Sequence, residues 1–128
     1  MNNKILITAA IFGVLSIVLG AFGAHALKEL IPVTSQQTFE TGVRYQMYHA
    51  LFLLIIGSTN LLTQKTKNVI YYLTLIGVVF FSGSIYFLAT NALTTFDFKV
   101  IGFITPIGGL LLILSWLTLF VNFLKNKC

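Results

Sequence analysis

The sequence predicts an all-α fold, an integral membrane bundle of four helices with a short interfacial helix before the second one. Hydrophobic residues make up 57% of the 128 residues and charged residues only 9%, whereas a soluble domain carries about a quarter charged residues. The mean hydropathy of the chain is +0.93. Four runs lack charged residues, and each is long enough to cross roughly 30 Å of membrane hydrocarbon as a helix. The length suits one domain over residues 1–128.

The first run, Ile5–Leu27, predicts a transmembrane helix over about 5–26. A secretory signal peptide is the competing interpretation, since Ala24-His25-Ala26 resembles a cleavage site. The run is longer than the apolar part of such a peptide, which favours the span. Small residues recur along it in steps of three and four, and such a stripe lets helices approach closely, within one chain or between the copies of a homo-oligomer. The stripe consists of Gly13, Ser16, Gly20 and Ala24.

The second run, Tyr45–Gln64, predicts a span over about 45–63. Before it, Thr34 and Gln37 match the capping-box pattern that is typical of a helix start. We expect residues 35–44 to form the short interfacial helix that leads into the span. Glu40 and Arg44 are four residues apart, so they are predicted to form an ion pair along this helix.

The third and fourth runs predict spans over about 70–90 and 100–122. Pro106 falls inside the fourth predicted span. Because proline has no backbone N–H, it is expected to kink that helix, and a hinge at this position is the functional alternative to plain packing.

Basic residues in short loops predict the orientation of a multi-pass protein, because they favour the cytoplasmic side. With four spans, both termini and the connection between spans 2 and 3 share one side. The bases on that side are Lys4, Lys65, Lys67, Lys125 and Lys127. The bases on the other side are Lys28, Arg44 and Lys99. The sequence therefore predicts a multi-pass protein of the cell membrane with both termini in the cytoplasm.

The amino-acid composition and the positions of the polar residues disfavour several functional classes. The net charge is +5, but the bases are scattered, so no nucleic-acid partner is predicted. The one cysteine, Cys128, allows neither an internal disulfide nor a CxxC redox pair. No Asp or Glu falls within a predicted span, which counts against a proton-coupled exporter, and the serines form no evident Ser–His–acid set. We therefore predict a non-enzymatic protein with no catalytic residue and no cofactor.

Two histidines and one arginine are the candidates for ligand chemistry. His25 ends the first predicted span, and His49 lies one turn inside the second. Together with Glu40 they could hold a metal ion or haem, whereas the simpler interpretation is that each imidazole hydrogen-bonds across a helix interface. Arg44, with aromatic neighbours near the membrane surface, could hold a lipid phosphate. A small oligomeric carrier of an ion or small molecule is a further alternative.

Four segments resemble one family of small membrane proteins: Gly20–Leu27, Thr41–Leu51, Phe81–Tyr86 and Thr105–Gly109. The family is the uncharacterised group known as domain of unknown function 423, which is related to animal transmembrane protein 256. The resemblance extends over essentially the whole chain. It implies an integral membrane protein of about four helices, and it implies no established activity.

These family-like segments map mainly to one half of each predicted span. In each case it is the half on the outer side of the membrane, opposite the side that holds the two chain termini. If they converge in a bundle, they would line one polar pocket that binds a membrane lipid or a protein partner. The predicted lining residues are His25, Arg44, Tyr45, His49, Ser82, Tyr86 and Thr105.

Overall fold

The computed structural model of the protein describes residues 2–93 and 101–125, apart from the side chain of Ala92. Within these residues the fold is all-helical, as predicted. The helices are α1 (Asn2–His25), α2 (Val33–Ser58), α3 (Gln64–Ala89) and α4 (Ile104–Lys125), with a 3-10 turn at Asn91–Leu93. Lys99, Lys127 and Cys128, which entered the expectations above, lie outside the described residues.

Helices α1 and α2 form an antiparallel pair whose crossing depends on glycines. A Cβ atom added at Gly23 would lie 2.8 Å from the ring of Phe39, and one added at Gly57 would lie 2.8 Å from Leu6. These two contacts lie at opposite ends of the pair, so α1 and α2 stay close along most of their length. A side chain at Gly23 or Gly57 would force its neighbour to shift, so the glycines favour this close approach.

The predicted stripe on α1 coincides only partly with this interface. Ser16 is buried, and a Cβ atom at Gly20 would make an ordinary contact with Val43 on α2 at 3.4 Å. In contrast, Gly13 has no neighbouring atom within 4 Å of such a Cβ position, and Ala24 is exposed. Ser16 and Gly20 are therefore packed, whereas Gly13 has open space beside it and Ala24 stays exposed.

The second helix begins within two residues of the predicted start of its extension, and it ends earlier than predicted. Residues 35–44 are helical and continue without a break into the following residues, so they extend α2 and no separate helix precedes it. The helix starts at Val33 after Pro32, and no side chain caps its first turn, so the expected capping box does not form. It ends at Ser58 rather than near residue 63, because Thr59 is already extended.

Helices α3 and α4 are joined by matched small and polar residues. The hydroxyl groups of Thr74 and Ser115 are 2.6 Å apart, and those of Ser84 and Thr105 are 2.5 Å apart. Between these two pairs, a Cβ atom on Gly108 would overlap the backbone of Phe81. The two backbones are therefore in close contact at Gly108, and hydroxyl pairs hold them on both sides of that point.

Pro106 lies in the first turn of α4, which begins at Ile104. The backbone N–H groups of a first helical turn have no partner within the helix, so a proline there removes no hydrogen bond. Pro106 therefore does not kink the interior of α4, as the sequence analysis expected it would. The expectation failed because the helix starts about four residues later than the apolar run does.

The two ends of the bundle differ in charge. We call the end that holds Asn2, Lys125 and the 59–63 connection the tail end, and the end that holds the 26–32 connection the loop end. The described charged residues at the tail end are all bases, namely Lys4, Lys65, Lys67 and Lys125. Those at the loop end are two bases and two acids, namely Lys28, Arg44, Glu29 and Glu40.

Three of the helices, α1, α3 and α4, are long and apolar enough to cross a membrane. Helix α2 has 26 residues, about 39 Å at 1.5 Å per residue, so it is long enough but less apolar. Its first half carries Glu40 and Arg44 together with several glutamine and threonine side chains. The large side chains that α1 and α4 expose are almost all apolar, as expected for surfaces that face lipid.

Candidate functional site

A cleft of about 550 Å³ runs between α1 and α2 at the loop end of the bundle. We call it the α1–α2 cleft. It has an apolar wall and a polar rim, the arrangement that suits an amphiphilic ligand. The wall is formed by Gly20, Gly23, Ala24, Phe39, Val43 and Met47, and the rim by Gln36, Glu40, Arg44 and Tyr48; the buried Ser16 also lines the cleft.

Arg44 and Glu40 form an ion pair on the rim of this cleft. One terminal guanidinium nitrogen of Arg44 lies 3.2 Å from Oε1 of Glu40, and the side chains are 47% and 69% exposed. The contact uses one donor of Arg44 and one oxygen of Glu40. An exposed pair of this kind is weak, and the remaining N–H groups of the guanidinium have no partner within residues 2–93 and 101–125. Most donors of the arginine therefore stay available.

Gln36 fixes the connection that closes the loop end of the cleft. Its side-chain amide donates to the carbonyl oxygens of Lys28 at 2.6 Å and Ile31 at 3.0 Å. Leu27 and Ile31 of the same connection are buried against Phe39. The connection is consequently held against the first turns of α2.

A second surface depression, about 760 Å³ in volume, lies between α2 and α4. We call it the α2–α4 groove. Its walls are mostly apolar and aromatic, and it contains one imidazole. Its lining residues are Thr41, Tyr45, His49, Phe81, Gly109, Leu112, Ile113, Trp116, Leu117 and Phe120.

His49 is buried at this groove, and both of its ring nitrogens are engaged. The indole N–H of Trp116 lies 3.1 Å from Nε2, and the carbonyl oxygen of Tyr45 lies 2.7 Å from Nδ1. Because an indole nitrogen can only donate, Nε2 must accept, and the proton sits on Nδ1 and is donated to Tyr45. His49 is therefore a neutral imidazole that ties α2 to α4.

A buried polar chain links three helices in the middle of the fold. The hydroxyl group of Tyr86 donates to Oε1 of Gln46 at 2.7 Å, and Nε2 of Gln46 donates to the carbonyl oxygen of Phe12 at 3.0 Å. Beside it, Ser82 donates to the carbonyl oxygen of Gly42 at 2.7 Å. These bonds satisfy side chains that would otherwise be buried without partners, and they fix α1, α2 and α3 relative to one another.

The seven residues predicted to share one pocket do not line one cavity. Arg44 lies on the rim of the α1–α2 cleft, whereas Tyr45 and His49 line the α2–α4 groove. The reason is helical geometry: five residues at about 100° each place Arg44 and His49 on nearly opposite sides of α2.

The other four predicted residues lie elsewhere. Ser82 and Tyr86 fill the interface between α2 and α3, and Thr105 bonds to Ser84 between α3 and α4. His25 is exposed at the end of α1. The structure therefore brings Arg44 and its partner Glu40 to a cleft, and it gives the buried polar residues structural partners within the bundle.

A metal or haem site that uses His49 is not supported, because both ring nitrogens of His49 already have hydrogen-bond partners. Within the part of the chain that the structure describes, no three His, Cys, Asp or Glu residues are grouped as metal ligands. Glu40 is paired with Arg44 instead.

Three residues with structural roles described above were not singled out from the sequence. They are Gln36 at the α1–α2 cleft, Gln46 in the buried polar chain and Trp116 at the α2–α4 groove. Gln46 carried a usable signal, since an amide inside an apolar run requires a partner when it is buried. Trp116 is the only tryptophan in the chain, but an indole on an apolar helix gives no indication of its partner.

A family model matches residues 19–109 of this chain, and its description is a protein of unknown function, DUF423. The chain belongs to this family. The matched residues of this DUF423 protein include all of α2 and α3 and the α1–α2 cleft from Gly20 onward.

Whole-chain relatives support the assignment to DUF423. A UPF0382 membrane protein of Staphylococcus haemolyticus is 42% identical over 120 residues, which is 94% of each chain. A UPF0382 inner membrane protein of Escherichia coli is 32% identical over 129 residues, which covers 98% of this chain and 93% of the relative. No solved structure matches the chain. This DUF423 chain is therefore a membrane protein, and neither the family description nor these relatives' names state an activity.

Proposed function

We propose that this protein crosses the membrane four times and binds a phospholipid in the α1–α2 cleft, with Arg44 on the phosphate group. In this proposal it is a non-enzymatic, multi-pass protein of the cell membrane. Both tails lie in the cytoplasm, and the cleft opens at the outer leaflet.

The position of Ser58 at the end of α2 carries the proposal. A helix needs about 20 residues to cross the hydrocarbon, so a span that ends at Ser58 must begin near Phe39. Arg44 then lies about five residues, or roughly 7.5 Å, inside the boundary of the hydrocarbon. A guanidinium at that depth is costly unless it reaches the interface or pairs with an anion. Glu40 supplies one anionic contact, and lipid phosphate is a second anion present at that interface.

The ion pair with Glu40 leaves Arg44 able to bind such a phosphate. Glu40 takes one guanidinium donor at 3.2 Å. The planar guanidinium has five N–H donors, and its fork geometry matches the oxygen atoms of a phosphate.

The walls of the cleft suit the apolar part of the same ligand. Gly20, Gly23 and Ala24 on α1 line the cleft without large side chains, and Val43 and Met47 supply an apolar surface on the facing helix. A fatty acyl chain laid along this wall would keep its headgroup at the rim, where Arg44 lies. One phospholipid molecule therefore accounts for both the wall and the rim of the cleft.

The charge distribution supports the orientation. All described charged residues at the tail end are lysines, whereas the loop end has equal numbers of bases and acids. Lysines in short segments favour the cytoplasmic side, which places the α1–α2 cleft at the opposite leaflet.

Lipid retention provides the test. The wild-type protein, Arg44→Ala and Arg44→Lys would be extracted with a native lipid shell, stripped by a fixed detergent wash, and analysed for bound phospholipid by mass spectrometry. We expect about one retained phospholipid per wild-type chain, at least a fivefold loss in Arg44→Ala and a smaller loss in Arg44→Lys, because lysine lacks the planar fork. Lys28→Ala is the matched control, since Lys28 is a loop-end base outside the cleft. Equal retention by the wild type and Arg44→Ala would refute the proposal.

A further inference from the structure

We infer that the phospholipid in the α1–α2 cleft has a zwitterionic headgroup, with its phosphate on Arg44 and its ammonium on Glu40. This inference rests on the proposed function and specifies the class of ligand. The α1–α2 cleft presents a positive and a negative side chain next to each other, and such a headgroup presents the opposite charges next to each other.

The geometry of the rim suits two adjacent charges. Glu40 and Arg44 are one helical turn apart on the same face of α2, and both line the cleft. Only Oε1 of Glu40 contacts Arg44, which leaves Oε2 free to accept within the described residues. In an ethanolamine headgroup a two-carbon bridge joins the phosphate to the ammonium, so the two charged groups can reach two side chains one turn apart.

Binding would replace one weak ion pair with two stronger contacts. The existing pair is largely exposed, and its single contact is 3.2 Å long. Exposed pairs contribute little to stability, so a headgroup can separate the two side chains at small cost. The phosphate then accepts two N–H groups from Arg44, and the ammonium donates to the carboxylate of Glu40. No charged group at the rim is left without a partner.

A purely anionic headgroup fits the α1–α2 cleft less well. Its phosphate could pair with Arg44, but it would bring a second negative charge close to the Glu40 carboxylate and would supply no second cation. The described charges of the loop end cancel, with Lys28 and Arg44 against Glu29 and Glu40, so no net positive field draws an anionic lipid there. That field exists at the tail end, where the described charged residues are all lysines.

A competition experiment tests the headgroup. The delipidated protein would be reconstituted into nanodiscs of equimolar phosphatidylethanolamine and phosphatidylglycerol with identical acyl chains, and the lipid retained after mild extraction would be quantified. We expect the wild type to enrich phosphatidylethanolamine at least threefold over the bulk ratio. Glu40→Gln should retain phospholipid but lose this enrichment. Glu29→Gln, which removes a loop-end acid outside the cleft, should retain it.

The outcomes separate the two proposals. The wild-type protein alone can overturn the zwitterion inference. It does so if it enriches phosphatidylglycerol or if it retains the two lipids at the bulk ratio. Unchanged enrichment in a monodisperse Glu40→Gln variant overturns it as well. Retention of both lipids by Arg44→Ala at the wild-type amount instead overturns the proposed phospholipid site itself.

Discussion

The indole N–H of Trp116 donates to Nε2 of His49 with 3.1 Å between the two nitrogen atoms. The second ring nitrogen of His49 donates to the carbonyl oxygen of Tyr45 at 2.7 Å, so the tautomer of the imidazole is fixed by its partners. This pair is a direct polar link between α2 and α4, two helices that are not consecutive in the chain. His49, which the sequence suggested as a metal or ligand-binding residue, thus hydrogen-bonds between two helices.

We expect a double-mutant cycle on this pair to show coupling. Trp116→Phe removes the donor, and His49→Phe removes the acceptor. Hydrogen bonds between membrane helices average about 0.6 kcal/mol and reach about 1.7, so a coupling free energy in that range is predicted. The measurement is reversible unfolding in mixed micelles. Strictly additive effects of the two substitutions would show that the bond contributes nothing.

Gly108→Ala should strongly destabilise the bundle. The added Cβ atom would overlap the backbone of Phe81, and because backbone atoms cannot rotate away, α3 and α4 must separate. Overpacking of this kind costs about 1–3 kcal/mol. The neighbouring Gly109→Ala is the control, because its Cβ atom would meet only the ring of Phe81, at an ordinary 3.6 Å. Thermal aggregation in detergent should therefore occur at a lower temperature for Gly108→Ala alone, and equal shifts would contradict the close backbone contact.

Tyr86→Phe should lower stability by about 1 kcal/mol, because it leaves Oε1 of the buried Gln46 without its donor. Tyr48→Phe makes the same chemical change at an exposed position, where the hydroxyl group has no partner among the described residues. It should change stability by less than about 0.5 kcal/mol. Unfolding free energies of the two variants, measured side by side, check the prediction. A loss in Tyr86→Phe no larger than that in Tyr48→Phe would mean that the hydrogen bond from Tyr86 to Gln46 does not stabilise the bundle.

The four-span topology predicts a labelling pattern that uses the only cysteine of the chain, Cys128. In intact cells, a membrane-impermeant thiol reagent should fail to label Cys128 until the membrane is permeabilised. In a Cys128→Ser background, Asn3→Cys should behave in the same way, whereas Glu29→Cys should be labelled at once. If α2 does not cross, the two tails lie on opposite sides, so opposite accessibility of Asn3→Cys and Cys128 would contradict the topology.

Several features were correctly predicted from particular residues. The uncharged runs beginning at Ile5, Tyr45, Asn68 and Val100 each correspond to a helix, because a chain in hydrocarbon must satisfy its backbone hydrogen bonds within each segment. The ends were less predictable. Gln64–Lys67 joined α3 although three of these four residues are charged or amide-bearing, since a lysine at the start of a helix can remain near water, as the exposed Lys65 does.

Whether the seven candidate residues share one pocket could not be predicted, since the answer depends on the rotation of each helix about its own axis. Nothing in the composition of α2 indicates that Arg44 turns toward α1 and His49 toward α4. That rotation is decided where side chains are missing, at contacts such as Gly23 with Phe39 and Gly57 with Leu6. A sequence pattern identifies the small residues of one helix. Which residue each of them contacts depends on the rotation of both helices.

By itself, the sequence determined the membrane environment, the helical class and the location of the polar residues along the chain, because hydropathy and backbone satisfaction are local properties. Tertiary structure alone decided which of those residues are already partnered and which remain available. His49, Gln46 and Ser82 are engaged inside the bundle, whereas Arg44 and Glu40 lie at an open cleft. The physical reason is that hydrogen bonds between helices depend on the register and rotation of those helices. Both are set only when the helices pack.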